Sequence, residues 1–236
     1  MRTSFRSARL SALYRAKSTS LRLCLVTIIV VVCGLKTGAQ VAPDLGRVSD
    51  ATIWRLQNRN ASTIEKGDRK GVRLDAKPDN GVAWLIGSNF SSGTIELDLR
   101  GSNSPGQSFV GIAFHGADRA TYDAVYFRPF NFQNPDAIRR SHSIQYISQP
   151  EFPWERLRAE FPDKFEKPIS PPPEPDAWLH VRIVVNNKLI TVFVNSSSTP
   201  ALIVNALNGR SGGLIGLWVG NNSSGEFANL SITPGK

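Results

Sequence analysis

Short apolar segments separated by turn residues fill this chain from about residue 52 to its end, and this pattern restricts the fold most. Ile95, Leu97 and Leu99 alternate with polar residues, and a period of two is typical of a strand with one buried face. Asn186 and Asn187 separate two such runs and suit a tight hairpin, because asparagine tolerates a positive φ. We therefore predict an all-β fold, a two-sheet antiparallel β-sandwich or jelly roll. The predicted strands are 53–57, 71–74, 82–86, 95–99, 109–114, 124–127, 143–147, 179–185, 190–194, 201–204, 214–219 and 227–232.

One long connection interrupts this series of strands, over residues 148–176. It holds the single short helix that we predict, in which Trp154, Leu157 and Phe161 share a face and Pro162 ends the helix. A proline-rich stretch follows and is too poor in donors to pair within a sheet. Loops of this length are usually functional or disordered, and this one carries many apolar side chains. We expect it to pack as a wall beside the 122–132 segment.

The first 39 residues have the pattern of a signal peptide. Basic residues without any acid precede an unbroken apolar run, Leu23 to Leu35, and small residues follow at Thr37 and Ala39. The run is shorter than the 20 or so residues that a membrane span needs. We predict a signal peptide at 1–39 and one domain at 40–236, secreted or periplasmic, with no stable membrane span after cleavage. The alternative is an uncleaved N-terminal anchor.

Removal of this leader changes what charge and cysteine content imply. The whole chain has a formal charge of +9, but residues 1–39 contain seven of its Lys and Arg, which leaves +2 on the domain. The high isoelectric point is therefore no argument for nucleic acid, and we predict no nucleic-acid partner. Cys24 and Cys33 both lie in the leader, so the domain has no disulfide, no thiolate metal site and no cysteine nucleophile. We predict no cofactor and no metal site, with calcium as an alternative, because oxygen ligands on loops suffice for it.

The segment 122–132 interleaves aromatic rings with planar polar groups, as a sugar site requires. Aromatic rings suit the C–H face of a sugar, and amide, carboxylate or guanidinium groups suit its hydroxyls. A second segment, 142–146, and the wall loop add further groups of both kinds. The predicted ligand-binding residues are Tyr122, Asp123, Tyr126, Arg128, Asn131, Gln145, Tyr146, Glu151 and Trp154. The alternative is ordinary core packing of the aromatic side chains.

The signal for catalysis is weaker. His142 opens a strand beside this segment and is our candidate general base. Glu96 and Asp98 resemble the start of the Glu-x-Asp-x-Glu motif of laminarinase-type glycosidases, but Arg100 stands where the third acid is required. We therefore interpret these three residues as a solvated outer face.

With these residues in view, the chain resembles the concanavalin A-like lectin/glucanase superfamily. Within it, the chain is similar to secreted bacterial domains described as 3-keto-disaccharide hydrolase-like or laminin-G-like. The segments that carry the resemblance are 93–98, 109–114, 122–132, 142–146, 178–185, 190–195, 213–220 and 227–230. The resemblance implies two antiparallel sheets packed face to face, with any sugar bound on the concave sheet and its rim loops.

The superfamily contains lectins, glycosidases and inert adhesion modules, so the fold does not select an activity. The function that we predict first is a secreted carbohydrate-recognition domain that binds glycan on the concave sheet face. One alternative is a glycoside hydrolase or lyase that acts on 3-keto disaccharides or related glycosides. In that case His142 would remove the acidified proton beside the ketone. The other alternative is a structural or interaction module.

Overall fold

The computed structural model describes residues 39–66 and 69–235, which form two antiparallel sheets of seven strands each. The first sheet has the order β1-β4-β13-β6-β7-β8-β9, and the second has the order β12-β11-β10-β5-β14-β3-β2. The predicted all-β sandwich is therefore confirmed. The strands are β1 Trp54–Gln57, β2 Ala61–Lys66, β3 Arg69–Leu74, β4 Gly81–Leu85, β5 Gly93–Arg100, β6 Val110–Gly116, β7 Tyr122–Phe127, β8 Ile144–Gln149, β9 Glu166–Lys167, β10 Leu179–Asn186, β11 Leu189–Val194, β12 Leu202–Asn205, β13 Leu214–Val219 and β14 Gly225–Pro234.

The core lies between the two sheets, because each strand buries alternate side chains there. In β10 the buried residues are Leu179, Val181, Ile183 and Val185, in agreement with the predicted period of two. Each such side chain contributes about 1.5–3 kcal/mol of transfer free energy. The tip of the β10–β11 hairpin has Asn187 at φ 53°, which is the left-handed conformation that its asparagine pair predicts.

Three elements differ from the prediction. The strands β2 and β9 and a five-residue helix, α1 Ala137–Ser141, have no clear periodicity in the sequence. The predicted helix is present as α2 Trp154–Glu160. β9 lies inside the long connection, where it pairs with the start of β8 and closes the edge of the first sheet. No helix in the described part of the chain is long and apolar enough to cross a membrane.

The outer face of the second sheet carries cross-strand charged pairs, but the interpretation of Asp98 as solvated is wrong. Its side chain is buried, and Nδ1 of His180 and Nδ2 of Asn229 contact its two carboxylate oxygens at 2.8 and 2.7 Å. Glu96 and Arg100 are only partly exposed. The charge of Asp98 is thus satisfied by neighbouring strands, as a buried carboxylate requires.

Candidate functional site

One face of the first sheet turns away from the core and carries a row of large side chains. Strand register places Trp218, Tyr126, Gln145 and Glu166 in one row across β13, β7, β8 and β9. The opposite face contacts the second sheet, since a Cβ added to Gly225 of β14 would touch Val110 and Val219. The row therefore lies on the outer face.

Gly111 on β6 makes this row possible. Its α-carbon lies between Trp218 and Tyr126 in the register, and an added Cβ would come within 2.2 Å of the Val125 carbonyl oxygen and 2.6 Å of the Tyr126 Cβ. The absence of a side chain lets the rings of Tyr126 and Trp218 approach to 4.9 Å between centroids across this position. The two rings form a continuous aromatic floor.

A cleft of about 740 Å³ lies over this floor. The turns before β4 and after β13 border it on one side, and the residues before β8 together with helix α2 border it on the other. The lining side chains are Asp79, Asn80, Phe109, Tyr126, Arg128, Phe130, Asn131, Arg139, His142, Ile147, Gln149, Pro153, Trp154, Glu155, Arg158, Trp218 and Asn221. Its volume is within the range of sites for small ligands, and its lining mixes rings with planar polar groups.

Arg128 is the centre of a buried hydrogen-bond network at the edge of this floor. Its Nη2 donates to Oη of Tyr126 and to Oε1 of Gln145, both at 2.6 Å, and its Nη1 donates to the His142 carbonyl at 3.0 Å. The guanidinium carbon lies 4.9 Å from the Tyr126 ring centroid and 5.7 Å from that of Phe109. Both terminal nitrogens therefore have fixed acceptors, and the stacked rings hold the plane of the guanidinium.

Glu166 is the acid that balances this side of the cleft. Its carboxylate accepts from Nε and Nη2 of Arg158 at 2.9 and 2.7 Å, and its Oε2 lies 3.6 Å from Nη1 of Arg128. Burial raises the pKa of Glu166, but the hydrogen bonds and charge of Arg158 and the charges of His142 and Arg128 outweigh it, so the pKa is lowered. The carboxylate is therefore ionised at neutral pH.

His142 connects this acid to the cleft. Its Nδ1 lies 2.9 Å from Oε2 of Glu166 without the direction of a hydrogen bond, and its side chain is 17% exposed. Burial outweighs the opposing charge of Glu166 and lowers the pKa of the imidazole, and the charges of Arg158 and Arg128 lower it further. A neutral imidazole at pH 7 can accept a proton.

Gln145 lies behind the lining residues and keeps one unused donor. Its Oε1 accepts from Tyr126 and Arg128, and this fixes the orientation of the amide. Its Nε2 is fully buried and has no hydrogen-bond partner in the described part of the chain. Burial raises the pKa of the Tyr126 hydroxyl to about 12, so the tyrosine stays neutral and donates.

Asp123 and Tyr146 belong to a different cluster, on the inner face of the sheet. The carboxylate of Asp123 is fully buried and contacts Nδ1 of His115, Oη of Tyr146, Oγ of Ser148 and Nη1 of Arg210. Arg210 also donates to the Gln149 carbonyl. This cluster attaches the loop before β13 to β7 and β8, so its residues are structural.

The predicted site residues thus separate into three groups. Tyr126, Arg128, Asn131, His142 and Trp154 line the cleft, and Trp154 lies on the expected wall at 40% exposure. Two others lie on the outer face beneath it: Gln145, described above, and Tyr122, whose hydroxyl accepts from the Trp218 indole at 3.2 Å. The remaining three, Asp123, Tyr146 and Glu151, belong to neither group.

Several cleft residues were missed from the sequence. Arg158, and Glu166 behind it, lie in the long connection without any motif, and Asn80 and Asn221 lie in turns that carry no signal of a site. For Trp218 a signal existed, since it alternates with the core residues of its strand. The described residues contain no group of three or more His, Cys, Asp and Glu side chains placed to hold a metal ion.

No family model matches this chain, and no curated protein matches it either. Solved structures do. A Bacillus subtilis protein of unknown function with a galectin-like fold covers 84% of this chain and 97% of its own, at 13% identity and a TM-score of 0.56. The carbohydrate-binding module CBM66 from Bacillus subtilis covers 77% and 96%, at 12% identity and a TM-score of 0.53.

Domain 4 of AbnA, a GH43 extracellular arabinanase from Geobacillus stearothermophilus solved in complex with arabinotriose, covers 85% and 93%, at 15% identity and a TM-score of 0.51. At such identities the likeness concerns the fold alone. It shows that this chain shares the β-sandwich fold of these three structures, which is the fold that the resemblance stated above implies.

Proposed function

We propose that this protein is an exported carbohydrate-recognition domain and that the glycan binds in the cleft over the first sheet. The observation that carries the proposal is the composition of the cleft. The indole of Trp154, which is 40% exposed, and the half-buried ring of Phe130 both line this cleft. The amides of Asn80, Gln149 and Asn221 line it as well. Exposed rings can stack on the C–H face of a sugar, while amides both donate to and accept from hydroxyls.

The comparisons support this proposal by analogy of fold. Two of the similar structures are a carbohydrate-binding module and an arabinanase domain in complex with arabinotriose. Fold analogy alone does not transfer a ligand, so the argument depends on the cleft itself. Export is proposed from the leader pattern in residues 1–39.

A glycan array on the purified protein, with and without calcium, tests the proposal. We expect binding that Trp154→Ala weakens about tenfold or more, because tryptophan is among the residues that most often carry the binding energy of a contact. Phe193→Ala is the matched control, since this ring lies on the second sheet under Arg182. Absence of binding to any glycan would refute the proposal and favour an interaction module.

One observation supports a second candidate, a glycoside hydrolase or lyase. His142 lines the cleft, and its Nδ1 faces the buried carboxylate of Glu166. Nε2 is then the nitrogen that can take a proton from a bound sugar. Beside a ketone the C–H proton is acidified, so its removal forms a C=C bond and expels the leaving sugar, whose oxygen takes up a proton.

Product analysis separates the two candidates. Chromatography of glycosides and 3-keto glycosides after incubation with the protein would show turnover as released sugar. An enzyme should lose at least about 100-fold of its rate in His142→Gln with binding retained, the size typical of general base catalysis. A protein that binds these sugars and releases no product is a recognition domain only.

A further inference from the structure

The two sides of the cleft differ in charge. On the side of β8 and β9 the lining includes Arg128, Arg139, His142 and Arg158, which we call the arginine end. On the side of β4 and β13 the lining is Asp79, Asn80 and Asn221. A ligand that spans the floor therefore meets a cationic end and a neutral to acidic end.

Among the described residues that line the arginine end, the guanidinium groups of Arg128, Arg139 and Arg158 outnumber the single carboxylate. Glu166 is shared by Arg158 and Arg128, and Glu155 is the one acid among the described residues that lines this end. Within the described part of the chain, the one acid paired with Arg139 is Asp136, at 3.9 Å, and the two side chains are 61% and 50% exposed. An exposed pair of this length contributes little, so Arg139 is available to a ligand.

The buried polar atoms at this end also include more hydrogen-bond donors than free acceptors. Gln145 Oε1 has two donors and both oxygens of Glu166 are occupied by Arg158, whereas the buried Nε2 of Gln145 has no partner within the described residues. A buried donor without a partner costs about 1–3 kcal/mol. The buried polar groups behind this end therefore offer more donors than acceptors.

We propose that the glycan of this cleft is acidic and that its anionic group, a uronate carboxylate or a sulfate ester, is received at the arginine end. The inference rests on the proposed carbohydrate-binding function and deepens it. Guanidinium groups match such oxyanions in geometry as well as charge, because their parallel N–H bonds can engage two oxygens. The Asp79 side of the cleft then receives neutral hydroxyls, for which amide and carboxylate acceptors are suited.

Matched pairs of oligosaccharides test this inference on the purified full chain by calorimetry. Each uronate oligosaccharide is compared with its carboxyl-reduced form, and each sulfated one with its desulfated form. We expect at least one acidic form to bind about tenfold more tightly than its neutral counterpart at low salt. That advantage should shrink as salt is added, since ions screen exposed charges over about 10 Å at 0.1 M.

Arg139→Gln locates the anionic group. Its side chain is exposed, so the fold should be kept, and the affinity for the acidic form should fall about two- to fivefold, as for loss of one exposed charge pair. The affinity for the neutral form should fall by a smaller factor. Arg119→Gln is the control with the same charge change, because Arg119 is an exposed loop residue outside the cleft.

Three outcomes would contradict the inference in distinguishable ways. Equal affinity for both members of every pair would overturn it and leave carbohydrate binding intact. An acid preference that Arg139→Gln does not reduce would mean that the anion binds elsewhere, which also overturns it. Binding of none of the glycans would refute the proposed function together with the inference.

Discussion

Replacing Arg128 by alanine separates the structural role of this residue from its role in binding. The residue is 5% exposed, and its guanidinium donates to Tyr126, Gln145 and the His142 carbonyl and lies 3.6 Å from Glu166. Removing one partner from a buried ion pair typically costs about 3–5 kcal/mol. Because Arg158 still neutralises Glu166 in the variant, we expect the lower limit, about 3 kcal/mol.

Thermal unfolding followed by circular dichroism measures this cost. For a domain of this size, 1 kcal/mol shifts the Tm by about 2–4 °C, so Arg128→Ala should lower it by about 6–12 °C. Arg119→Ala is the control and should change the free energy of unfolding by less than about 0.5 kcal/mol. An unchanged Tm in Arg128→Ala would refute the reasoning that the network stabilises the fold. Binding measured on the same variant reports whether Arg128 also contacts the ligand.

Three further predictions concern stability and processing. Both His142 and Glu166 have lowered pKa values in the fold, so the unfolded chain binds more protons. The free energy of unfolding should therefore fall as the pH drops below about 6.5, because of His142, and fall further below about 4.5, because of Glu166. His142→Gln should remove the first fall, as urea unfolding at pH 5 and 7 would show. Asp123→Ala should cost about 3–5 kcal/mol in urea unfolding, because it leaves the mostly buried Arg210 with only the exposed carboxylate of Glu151, at 3.6 Å, and a cost under 1 kcal/mol would contradict this. Intact mass of exported protein should exclude Leu23 to Leu35, and a mass that includes them would favour the anchor.

The alternation of side chains along a strand also predicts which candidate site residues can share a face of the sheet, and the sequence analysis used this rule only in part. Asp123 and Tyr126 are three residues apart on β7, so they must lie on opposite faces of the sheet. Gln145 and Tyr146 must separate in the same way on β8. The structure therefore does not bring all four to one face, and Asp123 and Tyr146 are the two that face inward.

The sequence by itself determined the fold class, most strands, the helix at Trp154 and the turn at Asn187, because all of these depend on neighbours within a few residues. Tertiary structure alone decided which face of the first sheet became a cleft and which distant residues met there. Glu166 reaches Arg128 and His142 only because β9 pairs with β8, and Trp218 reaches Tyr126 only across Gly111. These contacts depend on the order of the strands and on the charge of each neighbour, and neither can be read from a local pattern in the sequence.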